Sequence, residues 1–192
     1  MMKKKNGFFT TRMLTTGAIT IALTFLLSLI IFFRLPMGGS VKALSLLPLI
    51  LFAYAYGPVK GLIVGGVYGL LDLVLNPYVI HPIQLLVDYP FAYAATALSC
   101  LALLIPDQTR SGKQVNPGLK LCIAILLGYL GKFIMAVISG VVFFAEYAGE
   151  EGALIYSIVC NGGYMGIEAA ICAAVAFVPG ISKLPKIIQG KV

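Results

Sequence analysis

The sequence has no tryptophan, a single histidine and few charged residues. Charged residues occupy 11% of the 192 positions and hydrophobic residues 60%, whereas an ordinary soluble domain is about 25% charged. A chain this apolar lacks the polar surface of a soluble globular protein. It also lacks the high charge and low hydrophobicity of a disordered one. The composition therefore predicts an integral membrane protein.

The sequence also lacks the motifs of several chemistries. It contains no Gly-x-x-x-x-Gly-Lys-Ser/Thr pattern, which would indicate a phosphate-binding loop for ATP. The four cysteines are spread singly and His81 is the only histidine, so we expect no metal, no disulfide and no bound cofactor. The clustered side chains that membrane proteases and transferases need are missing too. We expect a protein that is not an enzyme and that depends on another chain for any use of ATP.

Apolar runs bounded by glycine, proline and charged residues predict an all-α fold. We expect one membrane domain over residues 1–192, with six transmembrane helices at about 13–33, 43–56, 59–75, 83–105, 119–144 and 154–178. The second helix is short and interrupted by Pro48. The third carries a glycine at every fourth position from Gly57 to Gly69, which is typical of close packing between helices.

The basic residues predict the orientation of these helices. In the predicted topology, eleven of the 14 basic residues fall on one side, and positive charge marks the cytoplasmic side. They are Lys3, Lys4, Lys5, Arg12, Lys60, Arg110, Lys113, Lys120, Lys183, Lys186 and Lys191. Both termini are therefore expected in the cytoplasm. The net charge of +7 then reflects topology rather than nucleic-acid binding.

Ionisable residues inside the predicted spans suggest a functional site, because burying charge in a membrane is costly. These residues are Asp72, Asp88, Lys132 and Glu168. Asp88 shares a helix face with Gln84, and the outer halves of the last three helices are rich in phenol, amide and aromatic groups. Such a set suits a flat cationic solute. The alternative is that Asp88 pairs with Lys132 and the aromatic residues form an interfacial belt.

Four blocks of sequence resemble a known family, the thiamine-specific S components of energy-coupling factor (ECF) transporters. The blocks are residues 35–41 (LPMGGSV), 81–89 (HPIQLLVDY), 139–148 (SGVVFFAEYA) and 155–165 (IYSIVCNGGYM). They follow the family's order at compatible spacing, and the resemblance extends over nearly the whole chain.

The resemblance implies a fold of six helices with both termini inside, and a vitamin pocket that opens outward beneath the first external loop, residues 34–42. The ligand-contacting positions that it implies are Tyr78, Asp88, Tyr89, Lys132, Phe144, Tyr156 and Asn161. It further implies high-affinity thiamine uptake at the cell membrane, together with a transmembrane T component and two ATPases. Ala18 and Ala22 match the small-residue face through which S components contact the T component.

Two positions depart from the family pattern. Ala136 stands where the family typically has histidine, and Phe144 where some members have tryptophan. The preferred ligand could then be a thiamine precursor or another small vitamin. An autonomous secondary transporter is the remaining alternative, although the sequence shows no convincing internal repeat.

Overall fold

The structure is a computed structural model that describes residues 9–35, 39–42, 44–108 and 112–191. Its elements in chain order are α1 (Thr11–Ser28), β1 (Ile31–Arg34), β2 (Ser40–Lys42), α2 (Leu47–Tyr56), α3 (Pro58–Leu75), α4 (Pro82–Leu104), α5 (Pro117–Phe143), α6 (Ala153–Val175) and α7 (Leu184–Gln189). The second half of α4, Ala95–Leu104, is a 3-10 helix, and short 3-10 segments cover Ala145–Glu151 and Ile181–Lys183. Outside the described residues lie the predicted cytoplasmic bases Lys3, Lys4, Lys5 and Arg110, and residues 36–38 of the external loop.

Five of the described helices, α1, α3, α4, α5 and α6, are long and apolar enough to cross a membrane. Large apolar side chains such as Leu14, Val74 and Leu104 are exposed on the outside of the bundle, as expected for a surface in contact with lipid. The predicted span at 43–56 is the ten-residue helix α2, too short to cross a bilayer alone. Its side chains Ile50 and Phe52 are fully buried, so α2 belongs to the core of the bundle.

The predicted first span is wrong at its end. Helix α1 stops at Ser28, and Ile31–Arg34 forms a strand that pairs antiparallel with Ser40–Lys42. Phe33 lies opposite Val41 in this hairpin. The run from residue 31 to 33 is apolar but also β-branched and aromatic, which favours a strand.

Proline residues begin several helices. Pro58, Pro82 and Pro117 each occupy the first helical position, where the missing N–H costs no hydrogen bond. Pro48 is the second residue of α2, where a missing N–H also costs no hydrogen bond, so the expectation that it interrupts this helix is wrong.

Two glycines of α3 bring this helix against the backbone of α4. A Cβ added at Gly65 would lie 2.4 Å from the carbonyl oxygen of Tyr93, and one at Gly69 would lie 2.4 Å from that of Tyr89. Any side chain there would push the two helices apart. Gly57, by contrast, has a φ of +94° in the turn between α2 and α3 and makes no such contact. The close approach fixes the positions of Tyr89 and Tyr93 on α4.

The two ends of the described chain meet at one end of the bundle. The Arg12 guanidinium on α1 donates to the carbonyl oxygen of Ile187 at 2.9 Å, and the Tyr56 hydroxyl donates to that of Ile188 at 2.9 Å. Helix α7 is thereby attached to the start of α1 and the end of α2. The opposite end of the bundle, where α3 ends and α4 begins, contains a cavity lined by residues of α4, α5 and α6.

Candidate ligand-binding site

A cavity of about 540 Å³ opens between α4, α5, α6 and the segment that follows α3. This volume lies in the range of about 300–1,000 Å³ that is usual for small-molecule sites. All seven positions predicted to contact a ligand line it: Tyr78, Asp88, Tyr89, Lys132, Phe144, Tyr156 and Asn161. The structure therefore brings the predicted set together around one space, while their binding role stays a prediction.

Asp88 lies where the geometry of α4 changes. The helix passes from α-helical turns into a π-helical segment, Val87–Phe91, which contains Pro90. Proline lacks an N–H and cannot complete the ordinary ladder, and such π segments are a recognised way for a helix to absorb the disruption. Gln84 is fully buried and donates from its amide nitrogen to Asp88 Oδ2 at 2.5 Å. The carboxylate is thus oriented by its own helix.

The segment between α3 and α4 is bound to α4 by hydrogen bonds. The Tyr89 hydroxyl accepts from the backbone N–H of Tyr78 at 2.7 Å and donates to the carbonyl oxygen of Asn76 at 2.8 Å. The Gln84 side chain donates to the carbonyl oxygen of Tyr78 at 3.1 Å and accepts from the N–H of Ile80 at 3.2 Å. Gln84 therefore orients both Asp88 and the loop that presents Tyr78.

Aromatic rings surround the mouth of the cavity. The rings of Tyr78 and Phe144 are nearly parallel, with centroids 6.1 Å apart and an interplanar angle of 14°. The ring centroid of Tyr147 lies 6.1 Å from that of Phe144. A hydrogen bond with the Tyr147 side chain raises the pKa of the Tyr78 phenol. His81 stacks on Phe143 at 5.2 Å, outside the cavity lining. The ring faces provide surfaces for stacking a flat ligand.

Helix α6 contributes a row of polar groups along one face. Asn161 donates to the carbonyl oxygen of Ser157 at 3.0 Å and accepts from the Tyr164 hydroxyl at 3.1 Å. Tyr156 lies half-buried beside this row. A Cβ at Gly140 would lie 2.2 Å from Ser157 Oγ, so this glycine allows α5 to approach α6 at the cavity wall.

Lys132 enters the cavity from α5 without an acidic partner. Its ammonium nitrogen lies 3.9 Å from the ring centroid of Tyr93. Among the described residues, the one ion pair within 4.0 Å joins Lys120 to Asp107 at 2.7 Å, and neither residue lines the cavity. The alternative in which Asp88 pairs with Lys132 is therefore wrong.

The hairpin of β1 and β2 forms one wall of the cavity through Gly39. An added Cβ at Gly39 would lie 2.2 Å from the Tyr164 ring, so backbone and ring are in direct contact. Nearby, the Lys42 N–H donates to Glu168 Oε1 at 2.5 Å, and Glu168 is buried. Two residues one turn apart on α6 thus fix the hairpin.

Several cavity residues were not among the predicted contacts. They are Gly39, Ala92, Ala136, Ser139, Gly140, Tyr147, Ser157, Cys160 and Tyr164. Helical spacing could have indicated two of them, because Ser157 lies four positions before Asn161 and Tyr164 three positions after it. Gly39 lies in the loop expected over the pocket and Ala136 at a position where the family pattern has histidine, although neither was among the predicted contacts. The other glycine and alanine positions give no signal, because they contribute space rather than chemistry.

The predicted contact surface for a partner helix lies away from the cavity. Ala18 and Ala22 are exposed on the outer face of α1, one turn apart, while Gly17 and Thr24 on the same helix are buried.

Within the residues that the structure describes, no group of three or more histidine, cysteine or acidic side chains is arranged to hold a metal ion. Two of the free cysteines, Cys100 and Cys172, are buried in the bundle.

Comparisons with known proteins agree with one another. A family model described as thiamine transporter protein (Thia_YuaJ) matches residues 14–188. The thiamine transporter ThiT of Bacillus subtilis is 34% identical over 147 residues, which are 75% of this chain and 76% of that protein. ThiT of Lacticaseibacillus paracasei is 30% identical over 125 residues, 62% of each chain.

A solved structure of ThiT from Listeria monocytogenes has the same fold. It superimposes with a TM-score of 0.69 at 22% identity and covers 93% of this chain and 96% of its own. Because the identity is low, this likeness supports the fold alone. The family model and the curated relatives carry the assignment, and the apolar helices agree with it. The chain is a multi-pass membrane protein that belongs to the thiamine transporter protein family.

Proposed function

We propose that this chain binds thiamine in the cavity and acts as the substrate-binding S component of an ECF-type transporter in the cell membrane. In this proposal a T component and two ATPases are separate chains that supply transport and ATP hydrolysis. Family membership supports the ligand class. The observation that carries the proposal is an intramembrane carboxylate, Asp88, that faces an aromatic-lined cavity and is paired with no cation among the described residues.

The charge of thiamine suits this carboxylate. Its thiazolium ring carries a permanent positive charge, and attraction to a carboxylate strengthens where water is excluded. Gln84 donates to Oδ2 of Asp88, which orients the carboxylate without neutralising it. Asp88 would therefore provide the counter-charge for the bound vitamin.

The remaining groups suit the two flat rings of thiamine. Phe144 and Tyr78 present their faces across the mouth and would stack on a ring. Asn161 and Tyr156 would hydrogen-bond the ring nitrogens of the aminopyrimidine, since amide and phenol groups both donate and accept. Lys132 supplies a second, positive charge in the cavity.

Equilibrium titration of the purified protein with thiamine tests the first half of this proposal. We expect saturable binding of one thiamine per chain. Asp88→Asn should weaken it by about 10- to 150-fold, because a hydrogen bond to a charged group contributes about 1.5–3 kcal/mol. Asp107→Asn removes the same charge far from the cavity and is the matched control, with affinity within about twofold of wild type. Equal affinities for wild type and Asp88→Asn would refute the assigned role.

Ala136 favours a second candidate, an S component for a thiamine precursor. Its small side chain lines the cavity where the family pattern has histidine, which leaves more space and one fewer hydrogen-bonding group. Titration with the separate pyrimidine and thiazole halves distinguishes the candidates. Intact thiamine should bind more tightly than either half, and a half that binds more tightly would move the assignment to a precursor transporter.

The exposed face around Ala18 and Ala22 is the proposed contact with the T component. Small residues let another helix approach closely, so a leucine at both positions should reduce capture of the T component without changing thiamine affinity. Ala170→Leu, an exposed alanine on α6, is the matched control. Uptake of thiamine into vesicles that contain this chain alone would favour an autonomous transporter.

A further inference from the structure

The cavity contains two opposite charges that do not meet. Asp88 and Lys132 both line it, yet Asp88 receives the Gln84 amide while the Lys132 ammonium lies 3.9 Å from the ring centroid of Tyr93. In an environment that excludes water, a lysine and a carboxylate in one cavity are expected to attract each other. Something must therefore compete for the lysine.

The face of Tyr93 is the competing group, and its position is fixed. The ring is buried and packs edge to face on Tyr68, with centroids 4.7 Å apart at 81°. Its backbone lies against Gly65 of α3, where no side chain intervenes. The ring cannot turn away from Lys132 without disturbing this packing, and a cation over an aromatic face is strongly attracted when both are shielded from water.

Asp72 lies behind the ring. The Tyr93 hydroxyl donates to Asp72 Oδ2 at 2.6 Å, and Asp72 also accepts from the Asn76 side chain at 3.0 Å. Asp72 is buried on α3 and is not part of the cavity lining. A phenol that donates to a carboxylate has a more electron-rich ring, because hydrogen bonds in series polarise one another. The negative charge of Asp72 thus acts on Lys132 through Tyr93.

We propose that Tyr93 and Asp72 are positioning residues that bind the Lys132 ammonium away from Asp88 and so keep the Asp88 carboxylate available to a cationic ligand. This inference rests on the proposed function, since it concerns the same cavity and the same class of ligand. The arrangement separates two tasks. Asp72 balances the charge of the lysine from behind the cavity wall, and Asp88 remains for the ligand.

A double-mutant cycle on the full chain tests this inference, with thiamine as the probe. Tyr93→Leu removes the ring face and lets Lys132 pair with Asp88, so affinity should fall about tenfold. In the background of Lys132→Met no lysine is present to pair with Asp88. Tyr93→Leu should then change affinity by less than about twofold. A purely structural role of Tyr93 would give the same loss in both backgrounds, which would overturn the inference.

Tyr93→Phe provides a second cycle that preserves the core packing. It keeps the ring but removes the donor to Asp72, so affinity should fall by about two- to fourfold with Lys132 present and not at all with Lys132→Met. An equal loss in both backgrounds would again contradict the role. If wild type itself shows no saturable binding of thiamine, the proposed function fails and this inference with it. Binding by wild type with a Tyr93→Leu loss that persists in Lys132→Met refutes the inference alone.

Discussion

Asp88 and Glu168 are carboxylates within the spanning helices that differ in the hydrogen bonds they accept from the protein. Glu168 is 4% exposed, accepts the Lys42 N–H at Oε1 and lies 3.5 Å from the Tyr129 hydroxyl at Oε2. Asp88 is half-buried, accepts from Gln84 and otherwise faces the cavity. Both oxygens of Glu168 therefore meet protein donors. The hydrogen bond from Gln84 orients the Asp88 carboxylate but leaves it facing the cavity.

This difference separates structure from binding. A buried carboxylate whose oxygens meet protein donors stabilises the elements that it joins, here the hairpin and α6. A carboxylate that faces a cavity retains capacity for a ligand. Both residues are acids within apolar helices, so residue type and depth alone do not distinguish them. The hydrogen-bonding partners that the fold supplies distinguish the two residues. Substitutions at the two positions should therefore have separable effects on binding and on stability.

The largest expected effect is on stabilisation by ligand in Asp88→Asn. A ligand at 100 times its Kd stabilises the native state by about 2.7 kcal/mol, and a hundredfold weaker affinity leaves about 0.4 kcal/mol at the same concentration. The stability without ligand should change by less than about 1 kcal/mol, because asparagine can still accept from Gln84. Thermal unfolding with and without thiamine measures both. A large loss of stability without ligand would contradict the comparison.

Glu168→Ala should have the converse effect. It leaves the Lys42 N–H without its acceptor and removes one of the polar contacts of the Tyr129 hydroxyl, which also lies 3.3 Å from Cys172 Sγ. The free energy of unfolding should therefore fall by about 1–3 kcal/mol. Glu168→Gln retains an accepting oxygen and is the matched control, with most of the stability restored. Hydrogen exchange at the Lys42 amide reports the contact directly and should accelerate in Glu168→Ala only. Unchanged exchange in that variant would mean that the carboxylate does not fix the hairpin.

A smaller effect is expected where the hairpin contacts α6. Gly39 and Gly112 have nearly the same φ, +79° and +78°, so alanine at either pays a similar backbone cost of about 1–2 kcal/mol. Only at Gly39 does the new Cβ meet the Tyr164 ring, since at Gly112 it meets no described atom within 4 Å. Gly39→Ala should therefore weaken thiamine binding by about three- to tenfold. Gly112→Ala should leave affinity unchanged, and an equal loss in both would show that the ring contact is irrelevant to binding.

Much of the helical pattern could be predicted from local signals. The spans expected at 59–75, 83–105 and 119–144 match α3, α4 and α5 within two residues, and a proline marks where each of these helices begins. The hairpin could not be predicted, because the apolar run at residues 31–33 continues that of α1 with no glycine, proline or charged residue to mark the boundary. The single domain over 1–192, the six spans and the cytoplasmic termini stay predictions.

The candidate site likewise has a part that the sequence predicts and a part that it does not. The seven lining positions follow from residue types and a family resemblance, which carry over from sequence to sequence. The position of Lys132 on the Tyr93 ring does not follow, because a flexible lysine can reach several partners and ångström-scale packing decides among them. Gly39 lies in the loop expected over the pocket, but its contact with Tyr164 could not be predicted, for a related reason. Its contribution is the absence of a side chain beneath Tyr164, which no residue pattern indicates.

The smallest expected effect concerns a third carboxylate, Asp107, which lies outside the spanning helices. The Lys120 ammonium donates to it at 2.7 Å and holds the pKa of the Asp107 carboxyl below its ordinary value. A lowered pKa in the folded state means that the ion pair stabilises the protein above the unfolded-state pKa, about 4, and that this is lost as pH falls through the folded value. The Asp107 side chain is 90% exposed, so solvent and salt screen the pair and its contribution is small. The unfolding midpoints of wild type and Asp107→Asn should differ slightly at pH 7 and converge below pH about 4. A difference that persists in acid would show that the pair acts through packing rather than charge, unlike the oriented carboxylate at Asp88.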